Sequence, residues 1–346
     1  MNPYQTLIFP WLRRMDAETA HERTLTALAL AQRTAVGRAF LAAIRGAVPD
    51  QPVTLFGLTF PNVLGVAAGF DKDARVAVGL GALGFGHVEV GTLTPRPQAG
   101  NPRPRVFRLA EDNAIINRMG FPNGGVQATL PRLQALRRAP RSFVVGVSLG
   151  KQKETPLEAA LADYVAVMEA VFPYADYLAV NVSSPNTPDL RRLQGGDYLD
   201  GLLRGISAAN GALATRHVVP PRPLLVKIAP DLTWDELDQI LAAARACAIS
   251  GIIATNTTIA RPGLRSAARA EAGGLSGRPL RARSLEIVAY VAENAGTLPI
   301  IGVGGIATAG DARAMLDAGA SLLQLYTGMV YHGPGIAGHI LRALNE

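Results

Sequence analysis

The sequence predicts an α/β fold, a (β/α)8 TIM barrel preceded by an N-terminal helical extension. Eight short apolar, β-branched runs recur from residue 63 onward, each bounded by glycine, proline or a polar cluster and most followed by a helical pattern. Eight strand-helix units in the remaining length match such a barrel, which typically takes about 250 residues. A doubly wound open sheet is the alternative. Against it, the first run ends in "AAGFDK", without the GxGxxG turn of a dinucleotide-binding unit.

The elements follow in order. Residues 1–48 differ in character from the rest: "YQTLIFPWLRRMD" breaks at Pro10, and the stretch from Ala17 reads as helices with Leu25, Leu28, Phe40, Leu41 and Ile44 among Arg23, Arg33, Arg38 and Arg45. No apolar run there is long enough to span a bilayer, and the flanks do not resemble a cleaved signal. The pattern fits two readings, a helical pair packed on the barrel or an interfacial hairpin with an arginine-rich polar face. Residues 49–346 are expected to form the barrel domain. Its strand runs are "VLGVAAGF", "HVEVGT", "FVVGVSLG", "YLAVNVSS", "LLVKIAP", "GIIATNT", "PIIGVGG" and "LLQLYTG". Helical segments lie between them, such as "DLTWDELDQILAAARACA", where Thr233 precedes a Glu236 partner as in a capping box. Two connections are long, residues 94–141 and 258–279, and insertions at those places on a barrel form walls or lids over the site.

Composition excludes several classes. Cys247 is the single cysteine, which rules out an internal disulfide framework and fits a reducing compartment. The five histidines, His21, His87, His217, His332 and His339, show no metal-ligand spacing, so no metal is expected. A net charge of +7 favours anionic partners, yet no basic stripe interleaved with aromatics indicates nucleic acid. Arginine supplies nearly all the positive charge. The retained lysines, Lys72, Lys151, Lys153 and Lys227, therefore suggest specific tasks, because a compact ammonium on a flexible stem can reach a single atom.

Barrel chemistry sits where the strands end. Those ends supply Lys72, Thr92, Ser148, Asn181, Ser183, Ser184, Asn186, Lys227, Thr255, Asn256, Thr257, the Gly304–Gly305 pair, Tyr326 and Thr327, and the first insertion adds "NRMGFPN" at 117–123. The rim is rich in amides and poor in acids and imidazoles. No histidine follows a strand end, which argues against a hydrolase triad. Asparagine offers one acceptor and two donors, a match for a flat ring whose edge alternates carbonyl and N–H groups. Each of these residues alone also has a plain role as a cap or turn former; the gathering at successive strand ends favours a ring-binding mouth. Glycines after the seventh strand suit a phosphate held by backbone N–H groups. Lys227 reads either as a Schiff-base lysine or as a fixed charge beside an anionic flavin.

"AAGFDKDA", "GFGHVEVGTLTPRPQAGNPRPRVFRL", "INRMGFPN", "NVSSPNTPDLRRLQ", "VKIAPDL", "ATNTT", "GGLSGRPL" and "IIGVGGI" together resemble the dihydroorotate dehydrogenases. The resemblance covers nearly the whole chain, including "AHE" at 20–22, and is to the membrane-associated, quinone-reducing class (class 2). Cytosolic relatives carry cysteine at the place of Ser184 and lack the extension. The resemblance implies one FMN per chain over the barrel mouth, oxidation of (S)-dihydroorotate to orotate in de novo pyrimidine (UMP) synthesis, and a membrane quinone as final acceptor.

It further implies that Ser184 is the base removing the proton next to the substrate carbonyl while a hydride leaves for the flavin. Flavin contacts carry over to Ala67, Ala68, Gly69, Phe70, Asp71, Lys72, Thr92, Asn181, Lys227, Thr255, Gly277, Gly305, Tyr326 and Thr327. Substrate contacts carry over to Lys72, Asn117, Arg118, Met119, Gly120, Phe121, Asn181, Asn186, Asn256 and Thr257. The quinone would be lined by His21, Arg108 and Tyr326. One departure stands out: the family has asparagine where "GVSLGK" places Ser148. The expected protein is a monomer, peripheral to the cytoplasmic face of the inner (cell) membrane through its N-terminal helices. A cytosolic flavin dehydrogenase with another acceptor, a Schiff-base lyase and a non-enzymatic membrane-held barrel are the rival readings.

Overall fold

A computed structural model describes residues 3–346. Its strands are β1 (Val53–Leu55), β2 (Leu58–Phe60), β3 (Leu64–Val66), β4 (His87–Leu93), β5 (Val106–Leu109), β6 (Ala114–Asn117), β7 (Val144–Leu149), β8 (Tyr177–Asn181), β9 (Leu224–Ile228), β10 (Gly251–Ala254), β11 (Gly274–Gly277), β12 (Ile300–Val303) and β13 (Leu322–Leu325). Strands β3, β4, β7, β8, β9, β10, β12 and β13 pair in parallel and close on themselves as a barrel. These are the eight runs read from the sequence.

Each barrel strand is buried on both faces, so its residues alternate between two apolar environments rather than between core and water. Val88 and Val90, Leu178 and Val180, Val226 and Ile228 face outward to the helices. Tyr177, Ala179, Leu225, Ile253, Ile301 and Leu322 fill the interior. The same two-residue period turns His87, Glu89, Asn181, Lys227 and Gln324 inward. Bulky interior groups fit because their neighbours are cut away: a Cβ on Gly146 would lie 2.0 Å from the Tyr177 ring, and one on Gly65 2.2 Å from His87. The antiparallel hairpin β1–β2 closes the lower end, with Phe60 edge-on to His87 at 5.4 Å.

The two long insertions meet. Strands β5 and β6 from the first and β11 from the second form an antiparallel sheet ordered β11-β6-β5, which stands as a wall at the mouth.

The extension contains α1 (Phe9–Leu12), α2 (Ala17–Ala31) and α3 (Ala35–Arg45). Asp16 caps α2 by accepting from Thr19 N–H at 2.8 Å, and Thr34 caps α3 by accepting from Gly37 N–H at 3.0 Å. Leu25, Leu28 and Leu41 join the main core. Gln32 donates to Arg75 O at 2.6 Å and accepts from Gly79 N–H at 2.8 Å. The buried Glu18 carboxylate accepts from Arg105 at 2.7 Å and Arg103 at 3.0 Å. The helices are thus packed on the barrel, as the plainer sequence reading has it, while one apolar face stays exposed: Leu7, Ile8, Trp11, Leu30, Val36 and Phe40 lie open to solvent. Among the described residues no single helix is long and apolar enough to cross a membrane.

Candidate active site

One cleft at the carboxyl ends of the strands holds about 1150 Å³ up to its open mouth. It brings together Ser184 and, from the residues expected around a cofactor, Ala67, Ala68, Gly69, Lys72, Thr92, Asn181, Lys227, Thr255, Gly277, Gly305, Tyr326 and Thr327. From the residues expected around a substrate it gathers Asn117, Met119, Gly120, Phe121, Asn186, Asn256 and Thr257. Five of the expected residues lie outside its lining. Asp71 is fully buried and spends its carboxylate on Arg75 N–H at 2.7 Å and Val76 N–H at 2.8 Å, bracing the first strand-helix loop. Arg118 turns away to Glu271 at 2.7 Å and stacks over Phe107. Phe70 and His21 pack behind Tyr326, and Arg108 lies on β5 and turns to the end of α1.

The floor is a hydrogen-bonded polar layer inside the barrel. Asn181 and Lys227 are register partners on β8 and β9. Lys227 Nζ lies 3.7 Å from Glu89 Oε1, with both side chains almost wholly buried. Tyr177 OH donates to Glu89 Oε2 at 3.1 Å, and Gln324 Nε2 donates to the same oxygen at 2.9 Å. Burial and the Glu89 charge push the Tyr177 phenol well above its usual range, so it remains a donor. Glu89 supplies the counter-charge to the buried Lys227, a pairing absent from the sequence reading. The signal was present, since alternation along "HVEVGT" turns Glu89 to the same face as His87. Gln324 also escaped the sequence reading.

Above this layer Asn181 Nδ2 donates to Thr92 Oγ1 at 2.8 Å, and Thr92 shares a hydrogen bond with Ser148 at 2.9 Å. Ser148 is fully buried and absent from the lining: its short hydroxyl supports Thr92 instead of reaching the cleft.

The amide cluster stands to one side. Asn256 Nδ2 donates to Ser183 Oγ at 3.0 Å, Asn186 Nδ2 donates to Asn117 Oδ1 at 3.2 Å, and Ser184 Oγ accepts from Asn186 N–H at 3.2 Å. Three residues beyond Ser184, the buried Thr187 hydroxyl has no hydrogen-bond partner among the described residues. Lys72, half-buried, is pushed below the usual lysine range by burial, an effect opposed by Glu22, Glu18 and Asp73.

The residues fit a flavin phosphate cofactor. Gln324 Oε1 is a buried acceptor in the cleft wall with no hydrogen-bond partner among the described residues, and Lys227 offers a cation beneath it. Backbone is bared at the far end: Gly305 has φ +70°, and a Cβ there would lie 2.5 Å from Arg281; Gly277 has φ +95°, and a Cβ there would lie 2.8 Å from Thr327. Such glycine turns leave main-chain N–H groups free to cradle a phosphate.

The sequence profile described as dihydroorotate dehydrogenase matches residues 51–346. The chain belongs to the dihydroorotate dehydrogenase family. It is 53% identical over 344 residues to the "Dihydroorotate dehydrogenase (quinone)" of Chloroflexus aurantiacus (strain ATCC 29366 / DSM 635 / J-10-fl), covering 96% of this chain and 93% of that one. To the protein of the same name from Acidithiobacillus ferrooxidans it is 50% identical over 342 residues, covering 98% and 93%. Among solved structures it is similar to the Eimeria tenella DHODH in complex with ferulenol, at 40% identity and a TM-score of 0.85, covering 95% of this chain and 90% of that one.

In this member of the family the extension meets the cleft through aromatic rings. His21 on α2 packs edge-on to Phe70 at 5.1 Å, and Phe70 packs edge-on to Tyr326 in the cleft wall at 5.7 Å. Burial, with Lys72 nearby, pushes the His21 imidazole down to about 3, so the ring is neutral, and its Nε2 has no hydrogen-bond partner among the described residues. Arg108 donates to Leu12 O at 2.8 Å and to Met15 O, holding the end of α1. Of the three residues expected around a quinone, Tyr326 lines the cleft, His21 sits one ring behind it, and Arg108 anchors the arm.

Proposed function

We propose that the chain oxidises dihydroorotate to orotate at this cleft and passes the electrons to a quinone, with FMN as its resident cofactor. The observation that carries the reading is the single cleft in which Ser184, Lys72 and four asparagines, Asn117, Asn181, Asn186 and Asn256, stand over the Lys227–Glu89 floor. When bound, FMN supplies the hydride acceptor and the electron relay. Lys227, Asn181, Thr92 and Gln324 would hold its ring, and Gly277, Gly305 and Thr327 its phosphate.

Ser184 takes the proton from the substrate carbon beside the carbonyl. A serine hydroxyl is a weak base, so its own proton must leave as it takes the substrate's; the Thr187 hydroxyl three residues along the loop, without a partner among the described residues, would relay that proton onward to solvent water. The asparagines bond the alternating ring edge, and Lys72 answers the substrate carboxylate. Water exclusion by the β5-β6-β11 wall strengthens each of these contacts.

The second half-reaction belongs to the other side. Neutral His21, Phe70 and Tyr326 form an apolar approach suited to a quinone ring. Exposed Leu7, Ile8, Trp11, Val36 and Phe40, flanked by exposed Arg13, Arg14, Arg33 and Arg38, support peripheral docking on an anionic leaflet, read as the cytoplasmic face of the inner membrane. A monomer suffices, because one chain closes the barrel and supplies the whole cleft.

The test is anaerobic: purified protein is yellow, bleaches with dihydroorotate, and regains colour with quinone. A colourless, fully folded protein, or a flavin unmoved by dihydroorotate, overturns the reading.

A further inference from the structure

We propose that Arg191 is the positioning residue that sets Ser184 and the amide cluster over the substrate, by gathering three consecutive loops of the barrel mouth onto one guanidinium. The inference rests on the function proposed above.

Arg191 lies on the short 3-10 helix Leu190–Gln194, in the connection that leaves β8. Its Nε donates to Ser183 O at 3.1 Å, its Nη2 to Thr257 O at 2.8 Å, and its Nη1 to Asp231 Oδ2 at 2.7 Å. Those acceptors belong to the loops after β8, β10 and β9. Asp231 in turn accepts from Ile259 N–H at 3.1 Å and from the Thr258 hydroxyl, so the loop after β10 is tied from both sides. A second tie, from Ala229 N–H to Gln194 Oε1 at 2.9 Å, anchors the same 3-10 helix to the loop after β9.

Arg191 does not line the cleft, so it acts through its neighbours. Each carbonyl it holds belongs to, or adjoins, a residue that does. Ser183 precedes Ser184 and receives the Asn256 amide, while Thr257 follows Asn256 and lines the cleft. Fixing both carbonyls fixes the distance between the base and the amide that bonds the ring.

Three acceptors in different directions require a planar fork with several donors, and a lysine reaches only one of them. Misplacing a reacting group by about 1 Å is enough to cost roughly 10²-fold in rate. Among the described residues the Lys227–Glu89 pair and the His21–Phe70–Tyr326 approach share no hydrogen bond with this fork; through Ser183, which bonds Asn181 by its N–H and hydroxyl, the effect falls on the substrate side of the cleft and not on the quinone side.

The test compares flavin-loaded wild type with Arg191→Lys. Anaerobic mixing with dihydroorotate is expected to reduce the flavin at least tenfold more slowly in the variant, and orotate, followed by its perturbation of the flavin spectrum, to bind several-fold more weakly. Reoxidation by quinone should stay within twofold of wild type. Amide hydrogen exchange across residues 182–195 should quicken while strand β9 stays protected.

Reduction as fast as wild type overturns the proposal. So does an equal fall in both half-reactions, which would mark general damage. If Arg191→Lys does not fold, Asp231→Asn, which keeps both carbonyl bonds, carries the same test: a smaller loss on the substrate side alone supports the proposal, and no such split overturns it. A wild-type protein that holds flavin but is not reduced by dihydroorotate would sink the function reading instead.

Discussion

The floor and the roof of the cleft are built on opposite principles. Below, Tyr177 and Gln324 bond Glu89, Glu89 pairs with Lys227, and the Asn181–Thr92 hydrogen bond stands just above, each side chain delivered by a barrel strand. At the roof, the rings of His21, Phe70 and Tyr326 meet edge to edge, and one of the three comes from a helix outside the barrel. A proton and a hydride need fixed charges and donors held by rigid strands, whereas a lipid-soluble ring needs an apolar path. The difference teaches that one cofactor ring can serve two partners that never need to meet. Variants on one side should leave the other side's half-reaction intact.

The sharpest break is expected from Ser184→Ala. Loss of a general base is worth about 10²- to 10⁴-fold, so stopped-flow reduction by dihydroorotate should slow by that range. Quinone reoxidation of the same sample should match wild type. Near-normal reduction would place the base elsewhere on the rim.

A second break targets the floor. Glu89→Gln keeps shape but strips Lys227 of its counter-charge, and removing one partner of a buried ion pair costs about 3–5 kcal/mol. Both groups lie deep in the barrel, so solvent does not screen the loss. Urea denaturation of wild type and variant measures it. A difference under about 1 kcal/mol would mean that Lys227 does not depend on Glu89.

The floor was only partly legible in the sequence, for a definite reason. The eight strand runs and the Thr233–Glu236 capping box were readable because they are local, repeating patterns, and both are present in the structure. Ser184, Lys227 and the asparagines were readable because strand ends are where a barrel keeps its chemistry. Glu89 and Gln324 are mid-strand residues whose partners lie on other strands, so no local window shows their pairing. The β5-β6-β11 wall has the same cause, since its strands come from insertions about 160 positions apart and pair antiparallel beside the parallel barrel. The Arg191 fork is likewise a matter of which loops meet.

Acidity sharpens the comparison next. His87 lies below the floor, fully buried, with neither ring nitrogen hydrogen-bonded among the described residues, and burial pushes it down to about 3. The folded chain therefore holds it neutral while the unfolded chain takes up a proton below about 6.5. Stability from this residue is full above that pH and is lost as pH falls toward 3, by about 2 kcal/mol at pH 5. Denaturation curves between pH 8 and pH 5 should show the decline, and His87→Phe should flatten it. An unchanged slope in that variant would assign the acid sensitivity to other groups, His21 first among them.

The mildest effect belongs to the outer surface of the roof. Arg33 is exposed at the turn between α2 and α3, beside exposed Leu30 and Val36. One basic residue near an anionic leaflet contributes about 1 kcal/mol, so Arg33→Gln should weaken binding to vesicles rich in anionic lipid by about fivefold. Binding to neutral vesicles should not change, because the apolar residues remain. Raising the salt should erase the difference between variant and wild type, since exposed charges are screened within about 10 Å at 0.1 M. Equal binding of the two proteins to anionic vesicles at low salt would separate the arm's apolar face from its charge. The roof would then meet the membrane through Leu7, Trp11 and Phe40 alone.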